Sequence, residues 1–265
     1  MKSYASSSPN SLQKVAYVAC NLYVSAGGEV GHRPILLNLL RQAQKVCQPG
    51  KVSVVHAYVD PVYNRSSFHL VGQAEPLASV AATLARDAIH SLRSYAAKTA
   101  EAEEKDPVHH PYVGFVDHIS IMPVEGKDTT VHINTDESDN DFVPCTPSGN
   151  AARSVGKTLQ EESGIQVYYY GSAHPQGTPL AAVRRDKTRF FQSGGLSHEN
   201  CGPVEQRAME VATVGAPLEF VENYNIRMKS TCPKKIAQSL TRHVRERDGG
   251  LPGVEALTLP YSQGR

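Results

Sequence analysis

Between residues 14 and 124 the apolar residues change period from strand to helix and back in the order β-α-β-β-α-β, and few folds accommodate that order. Residues 14–24 (KVAYVACNLYV) are β-branched and aromatic, as a strand requires. A glycine-rich turn, Ala26 to Gly31, and Pro34 at a first helical turn lead into a helix over Ile35–Val46. Its Ile35, Leu36, Leu39, Leu40 and Ala43 fall at helical spacing, and Pro49-Gly50 lies beyond its end. VSVVHAYV (52–59) and SSFHLVG (66–72) read as two strands, joined by the turn-forming stretch Asp60 to Arg65. Leu77, Val80, Ala81, Leu84, Ala88, Leu92 and Ala96 then step by three or four along a helix of about six turns. After the charged stretch 100–106, a strand-like segment runs from Val113 to Val124. The pattern predicts an α+β, ferredoxin-like subdomain: a four-stranded antiparallel sheet with two helices on one face.

Beyond it, Glu125 to Asn150 is polar and aperiodic, with Asp136, Glu137, Asp139 and Asp141 close together, so an exposed insertion is expected there. A helix (151–162), a strand (165–170) and a basic helix (179–190) follow, and Gly194 to Val204 has the composition of a linker. A strand region (211–228), a helix (233–247), the turn Asp248-Gly249-Gly250 and a last strand (254–259) resemble half of another βαββαβ unit. The expected organisation is a tail at 1–12, a first subdomain at 13–192 carrying the 125–150 insertion, a linker at 193–210, and a truncated second ferredoxin-like unit at 211–265.

Lys plus Arg number 27 against 26 Asp plus Glu, so no global field favours nucleic acid or an anionic membrane, and any anion site must be local. The five cysteines are widely spaced and never in C-x-x-C, which argues for a reducing compartment rather than a disulfide framework or structural zinc. No apolar run approaches the length that crosses a bilayer, and the first residues lack the apolar core of a secretory signal. A cytoplasmic location is expected, with organelle import left open by the serine-rich start.

Two segments invite a functional reading. Gly27-Gly28-Glu29-Val30-Gly31, with Asp60 closing the next strand, imitates a dinucleotide fingerprint but lacks the G-x-G-x-x-G spacing that admits a pyrophosphate, so a plain glycine turn is expected. His109-His110-Pro111-Tyr112-Val113-Gly114-Phe115-Val116-Asp117-His118 places histidines at a strand's mouth, where an imidazole can serve as a proton-transfer base. Neighbouring residues on an extended chain point opposite ways and no ligand-spaced Cys or carboxylate pair accompanies them, so no metal site is expected. Arg184 and Arg185 suit bidentate pairing with carboxylates, but a solvated helix face is the stronger reading for them.

Val62-Tyr63-Asn64-Arg65 with Leu70-Val71-Gly72-Gln73, His110-Pro111 with Val116-Asp117-His118-Ile119, and Val167-Tyr168-Tyr169-Tyr170-Gly171-Ser172-Ala173-His174 together resemble the formiminotransferase family. Asn223-Tyr224-Asn225-Ile226 and Gly249-Gly250-Leu251-Pro252-Gly253-Val254-Glu255-Ala256 look like its short plant-type members. The resemblance implies an enzyme that moves a formimino group between N-formimino-L-glutamate and tetrahydrofolate, the folate being a substrate and no metal or redox cofactor being needed. It implies that His110 is the general base. It also implies that Asp60, Asn64, Arg65, Tyr170 and Gly171 lie at the folate and substrate site, and that the partners are folate and glutamate-type small molecules, with a homodimer or larger assembly left open. Tyr112 departs from the arginine usual after His-Pro, and no cyclodeaminase module is expected. A non-catalytic folate-binding or structural subunit is the alternative.

Overall fold

The strands and helices expected between residues 14 and 124 form, and every strand of the described residues joins a single sheet. The computed structural model describes residues 15–99, 111–125, 146–188, 190 and 210–259. Strand β1 (Tyr17–Val24) is followed by α1 (His32–Val46), β2 (Val52–Asp60), β3 (Arg65–Gln73), α2 (Ala74–Thr99) and β4 (Val116–Pro123). β3 pairs antiparallel with both β1 and β2, and β4 pairs antiparallel with β1. The order β2-β3-β1-β4 is that of the ferredoxin-like fold.

One face of this sheet is dry. Val18, Cys20, Leu22 and Val24 alternate along β1 and meet Leu36 and Leu39 of α1 and Leu77, Leu84, Ala88 and Leu92 of α2, all buried. α2 lies between α1 and a third helix, α3 (Pro147–Ser163), so three helices cover the same face.

The chain after β4 departs from expectation in three places. α3 begins at Pro147, so the last residues of the segment expected to be exposed belong to a helix end instead. Thr146 caps that end, its Oγ1 accepting from the Gly149 amide at 2.9 Å and donating to Ser172 Oγ at 2.8 Å, and both Thr146 and Ser148 are fully buried. The remainder of the 125–150 insertion, residues 126–145, lies outside the described residues, as do the tail at 1–12 and most of the 193–210 segment read as a linker. Thr146→Ala should therefore lower the unfolding free energy by about 1–2 kcal/mol, read by urea denaturation, because it removes a cap and leaves the buried Ser172 hydroxyl with only its bond to the Ala216 carbonyl.

Next, β5 (Gln166–Gly171), α4 (Leu180–Lys187) and β6 (Val211–Ala216) extend the first sheet. β6, expected to open a second unit, inserts between β4 and β5 and runs parallel to both, giving the order β2-β3-β1-β4-β6-β5. Its Ala212, Val214 and Ala216 join the core under α3, so their burial fixes the strand in this sheet.

Finally, the strand expected over 211–228 stops at Ala216, and residues 254–259 form no strand. No neighbouring strand reaches them to complete a ladder, and an isolated extended segment gains nothing from pairing. α5 (Lys234–Val244) and a 3₁₀ turn (Glu246–Asp248) form near their expected places, but α5 buries none of its residues.

Candidate functional site

The sheet face opposite α1, α2 and α3 is polar. Across it, in register, stand His56, Tyr58, Ser67 and His69 of β2 and β3, Asn21 and Tyr23 of β1, His118 and Ser120 of β4, Thr213 of β6 and Tyr170 of β5. α4 packs over its β5–β6 end.

A β-bulge builds the centre of this face. The register between β1 and β4 shifts where Tyr23 pairs with His118 and Val24 with Val116, leaving Asp117 as the extra residue. A bulge re-aims side chains. Here Asp117 is fully buried, and its Oδ2 is shared between Arg65 Nη2 at 2.9 Å and Arg184 Nη2 at 3.0 Å. Its Oδ1 accepts from the Val113 amide at 3.0 Å, and its backbone oxygen accepts from Thr213 Oγ1 at 2.9 Å. The trio of two guanidiniums and one carboxylate leaves one positive charge over. Arg184 is itself buried, with its guanidinium 4.0 Å from the Phe190 ring and its Nε without a hydrogen bond, so the solvated helix face expected for it is wrong; Arg185 alone stays exposed. The sequence around Arg184 looks solvated because its partner lies 67 residues away.

Rings stand beside this trio. Adjacent strands lie about 4.8 Å apart and side chains stand off the sheet, so cross-strand rings meet side by side. Arg65 lies 4.5 Å from the Tyr23 ring centre, Tyr23 stacks on His118 at 5.7 Å with planes 5° apart, and His118 meets Tyr170 at 5.4 Å. His118 Nε2 and the Tyr170 hydroxyl are 2.8 Å apart. Gly215 is directly opposite Tyr170, and a side chain there would strike the Tyr170 ring. The absent side chain gives the ring room to lie over the strand.

Electrostatics keep this row uncharged. Burial holds the His118 imidazole well below its usual pKa, and the Arg184 guanidinium pushes the same way. Burial also raises the Tyr170 phenol above its usual value. His69, next to His56, is likewise depressed, chiefly by burial. Histidines depressed in the folded state bind fewer protons than the unfolded chain, so their contribution to stability falls as pH drops below the ordinary histidine pKa. The melting temperature should decline between about pH 7 and pH 5, and His118→Phe should flatten part of that decline in a pH series.

The residues implied by the resemblance fall into two groups. Arg65 and Tyr170 are in this cluster. Asp60 and Asn64 shape the turn that delivers Arg65: Asp60 Oδ1 accepts from the Tyr63 amide at 3.0 Å, and Asn64, with φ 49°, accepts from the Gly28 amide at 2.8 Å. The glycine turn thus packs on the 60–65 turn through its own backbone amides. Gly171 ends β5 at φ 59°, where any side chain would collide with the Ala216 carbonyl, so its role is close strand approach. His110 lies outside the described residues; the chain just after it is held by Ser25, whose amide donates to the Phe115 carbonyl at 2.9 Å and whose Oγ donates to the Gly114 carbonyl at 2.7 Å. Tyr23 was not foreseen as a site residue. Asp117 and His118 were noted within a family motif and the histidine segment without a role, and Arg184 was weighed as a carboxylate partner but ranked below a solvated helix face. Asn223 also reaches the site, its Nδ2 donating to the Tyr23 hydroxyl at 3.1 Å.

Among the described residues no group of three or more His, Cys, Asp or Glu is arranged to hold a metal ion, and no helix is long and apolar enough to cross a membrane.

Comparison with known proteins agrees with this geometry. The chain is 25% identical over 263 residues to a formiminotransferase cyclodeaminase-like protein of Arabidopsis thaliana, covering 92% of this chain and 78% of that one. It is 26% identical over 233 residues to a glutamate formimidoyltransferase of Thermoplasma acidophilum, covering 84% of this chain and 66% of that one. The family model for the formiminotransferase domain, N-terminal subdomain, matches residues 17–216, which run from the first residue of β1 to the last of β6. With the whole six-stranded sheet inside that match, the chain belongs to the formiminotransferase family and carries its N-terminal subdomain.

Proposed function

We propose that the chain binds a reduced folate on the sheet face opposite α1, α2 and α3 and transfers a formimino group between N-formimino-L-glutamate and tetrahydrofolate there. The observation that carries this reading is the Arg65–Asp117–Arg184 trio beside the Tyr23–His118–Tyr170 row. A folate joins a flat heterocycle to glutamate carboxylates, and this face offers fixed polar ring edges next to surplus guanidinium charge.

In this reading His110 takes the N5 proton of tetrahydrofolate as that nitrogen attacks the formimino carbon, then returns a proton to the departing glutamate nitrogen. Arg65, less buried than Arg184, faces a substrate carboxylate while Asp117 holds its guanidinium in plane. Asp60 and Asn64 fix the turn behind Arg65, Tyr170 and Gly171 form the far wall, and tetrahydrofolate enters as a substrate. The test is transfer from formiminoglutamate to tetrahydrofolate by the purified chain. Time-dependent loss of formiminoglutamate that requires tetrahydrofolate supports the reading, and folinate binding without transfer refutes the catalytic half.

That second outcome defines the rival reading, a folate-binding protein without turnover. Two observations favour it. Tyr112 replaces a cationic residue of the family pattern, and the described residues beyond β6 add an exposed helix and no further strand. The same assay separates the two.

A further inference from the structure

We infer that His118 is a specificity-determining residue of this site, presenting its Nδ1 edge to the pteridine ring of the folate as a hydrogen-bond partner while Tyr170 holds the imidazole from behind. The inference rests on the folate reading above and assigns the ring end of the ligand to a particular side chain.

Two contacts fix the imidazole, and a third braces one of them. Nε2 is bound to the Tyr170 hydroxyl at 2.8 Å, one ring face lies against Tyr23 with planes 5° apart, and Tyr23 is backed from the β3 side by Arg65. Turning the ring would break the Tyr170 bond and the Tyr23 stack together. Nδ1, in contrast, has no protein partner among the described residues, and His118, though crowded by its neighbours, keeps some solvent exposure on this face. A polar atom held in one orientation without a protein partner is preorganised for a ligand, since little side-chain freedom remains to be lost on binding.

The chemistry of the edge selects the ligand atom. Arg184 and Arg65 both disfavour a charged imidazole. His118 therefore offers a neutral donor or a neutral acceptor, the tautomer following the direction of the Tyr170 hydroxyl proton. Such an edge suits the amide-like rim of a pteridine, where neutral donors and acceptors alternate. It is a poor partner for a carboxylate, which the guanidiniums serve better. The face thus divides its work, with His118 for the heterocycle and Arg65 for the glutamate end.

The experiment titrates the full-length chain with folinate and, separately, with p-aminobenzoylglutamate, which has the glutamate end but no pteridine. His118→Phe keeps a ring that can stack on Tyr23 and removes both nitrogens. It should weaken folinate about tenfold, the cost of leaving one polar group of the ligand unmatched, and leave p-aminobenzoylglutamate unchanged. His118→Asn, which keeps a polar atom near Nδ1, should recover part of the loss. Tyr170→Phe, which leaves Nδ1 in place but releases the ring, should weaken folinate by about threefold, again without effect on the fragment. If His118→Phe fails to fold cooperatively, His118→Asn and Tyr170→Phe decide the matter by the same two-ligand comparison. Folinate affinity unchanged in the variants, or an equal loss for both ligands, overturns the role of His118 alone. Failure of the unsubstituted chain to bind folinate overturns the folate reading, and this inference with it.

Discussion

His110→Ala is expected to lower the rate of formimino transfer by roughly two to four orders of magnitude while folinate affinity stays within a small factor. Transfer needs one proton removed from the attacking nitrogen and one delivered to the leaving nitrogen, and a positioned imidazole is the side chain that can do both near neutral pH. His118 cannot substitute for it. Burial and neighbouring guanidiniums hold that imidazole neutral, so it cannot accept a proton and keep it as a charge. His109→Ala should be mild, because Pro111 biases His110 toward an extended backbone and neighbouring side chains on such a chain diverge. Steady-state kinetics of the two variants against the parent chain check the claim, and a parental rate in His110→Ala removes His110 from the mechanism.

The largest effect on stability is expected at Asp117. Asp117→Ala leaves Arg65 and the buried Arg184 without their shared carboxylate and the Val113 amide without its acceptor. Removing one partner of a buried ion pair costs about 3–5 kcal/mol, because the remaining charge stays desolvated. For a chain of this size that corresponds to a fall in melting temperature of about 10 °C. The bulge that carries Asp117 also orders the chain following His110, so folinate binding should weaken as well. A loss under 1 kcal/mol in urea unfolding would mean that Arg65 and Arg184 find other partners and that the trio does not organise the site.

Which parts of this architecture were legible in the sequence follows from where the information sits. Leu77, Val80, Ala81, Leu84, Ala88 and Leu92 mark α2 through a purely local period, and the antiparallel strands around it are close in the chain, so the ferredoxin-like half could be read directly. β6 could not. It pairs in parallel with β4 and β5 across long stretches of chain, and a six-residue apolar run says nothing about which sheet receives it. The same ambiguity made residues 254–259 look like a strand, although among the described residues no strand pairs with them. At the site, Arg65 and Tyr170 were named from family motifs and stand at the two ends of the row that Tyr23 and His118 complete. Arg184 was misread because its helix is short and basic, and its burial depends on a bulge 67 residues earlier in the chain. Tyr23 gave no signal at all, being one more aromatic residue in a β-strand; its place in the row arises from cross-strand register with His118, which a one-dimensional pattern does not encode.

The central claim is that the sheet face opposite α1, α2 and α3 is the folate site, and the most direct measurement is a folinate titration followed by NMR of the isotope-labelled chain. The shifts should concentrate on Tyr23, Arg65, His118 and Tyr170 and on their strand neighbours in β1, β4 and β5, saturating together with one affinity. Saturable shifts confined to α1, α2 and α3, or no saturable shift at any folinate concentration, would contradict it.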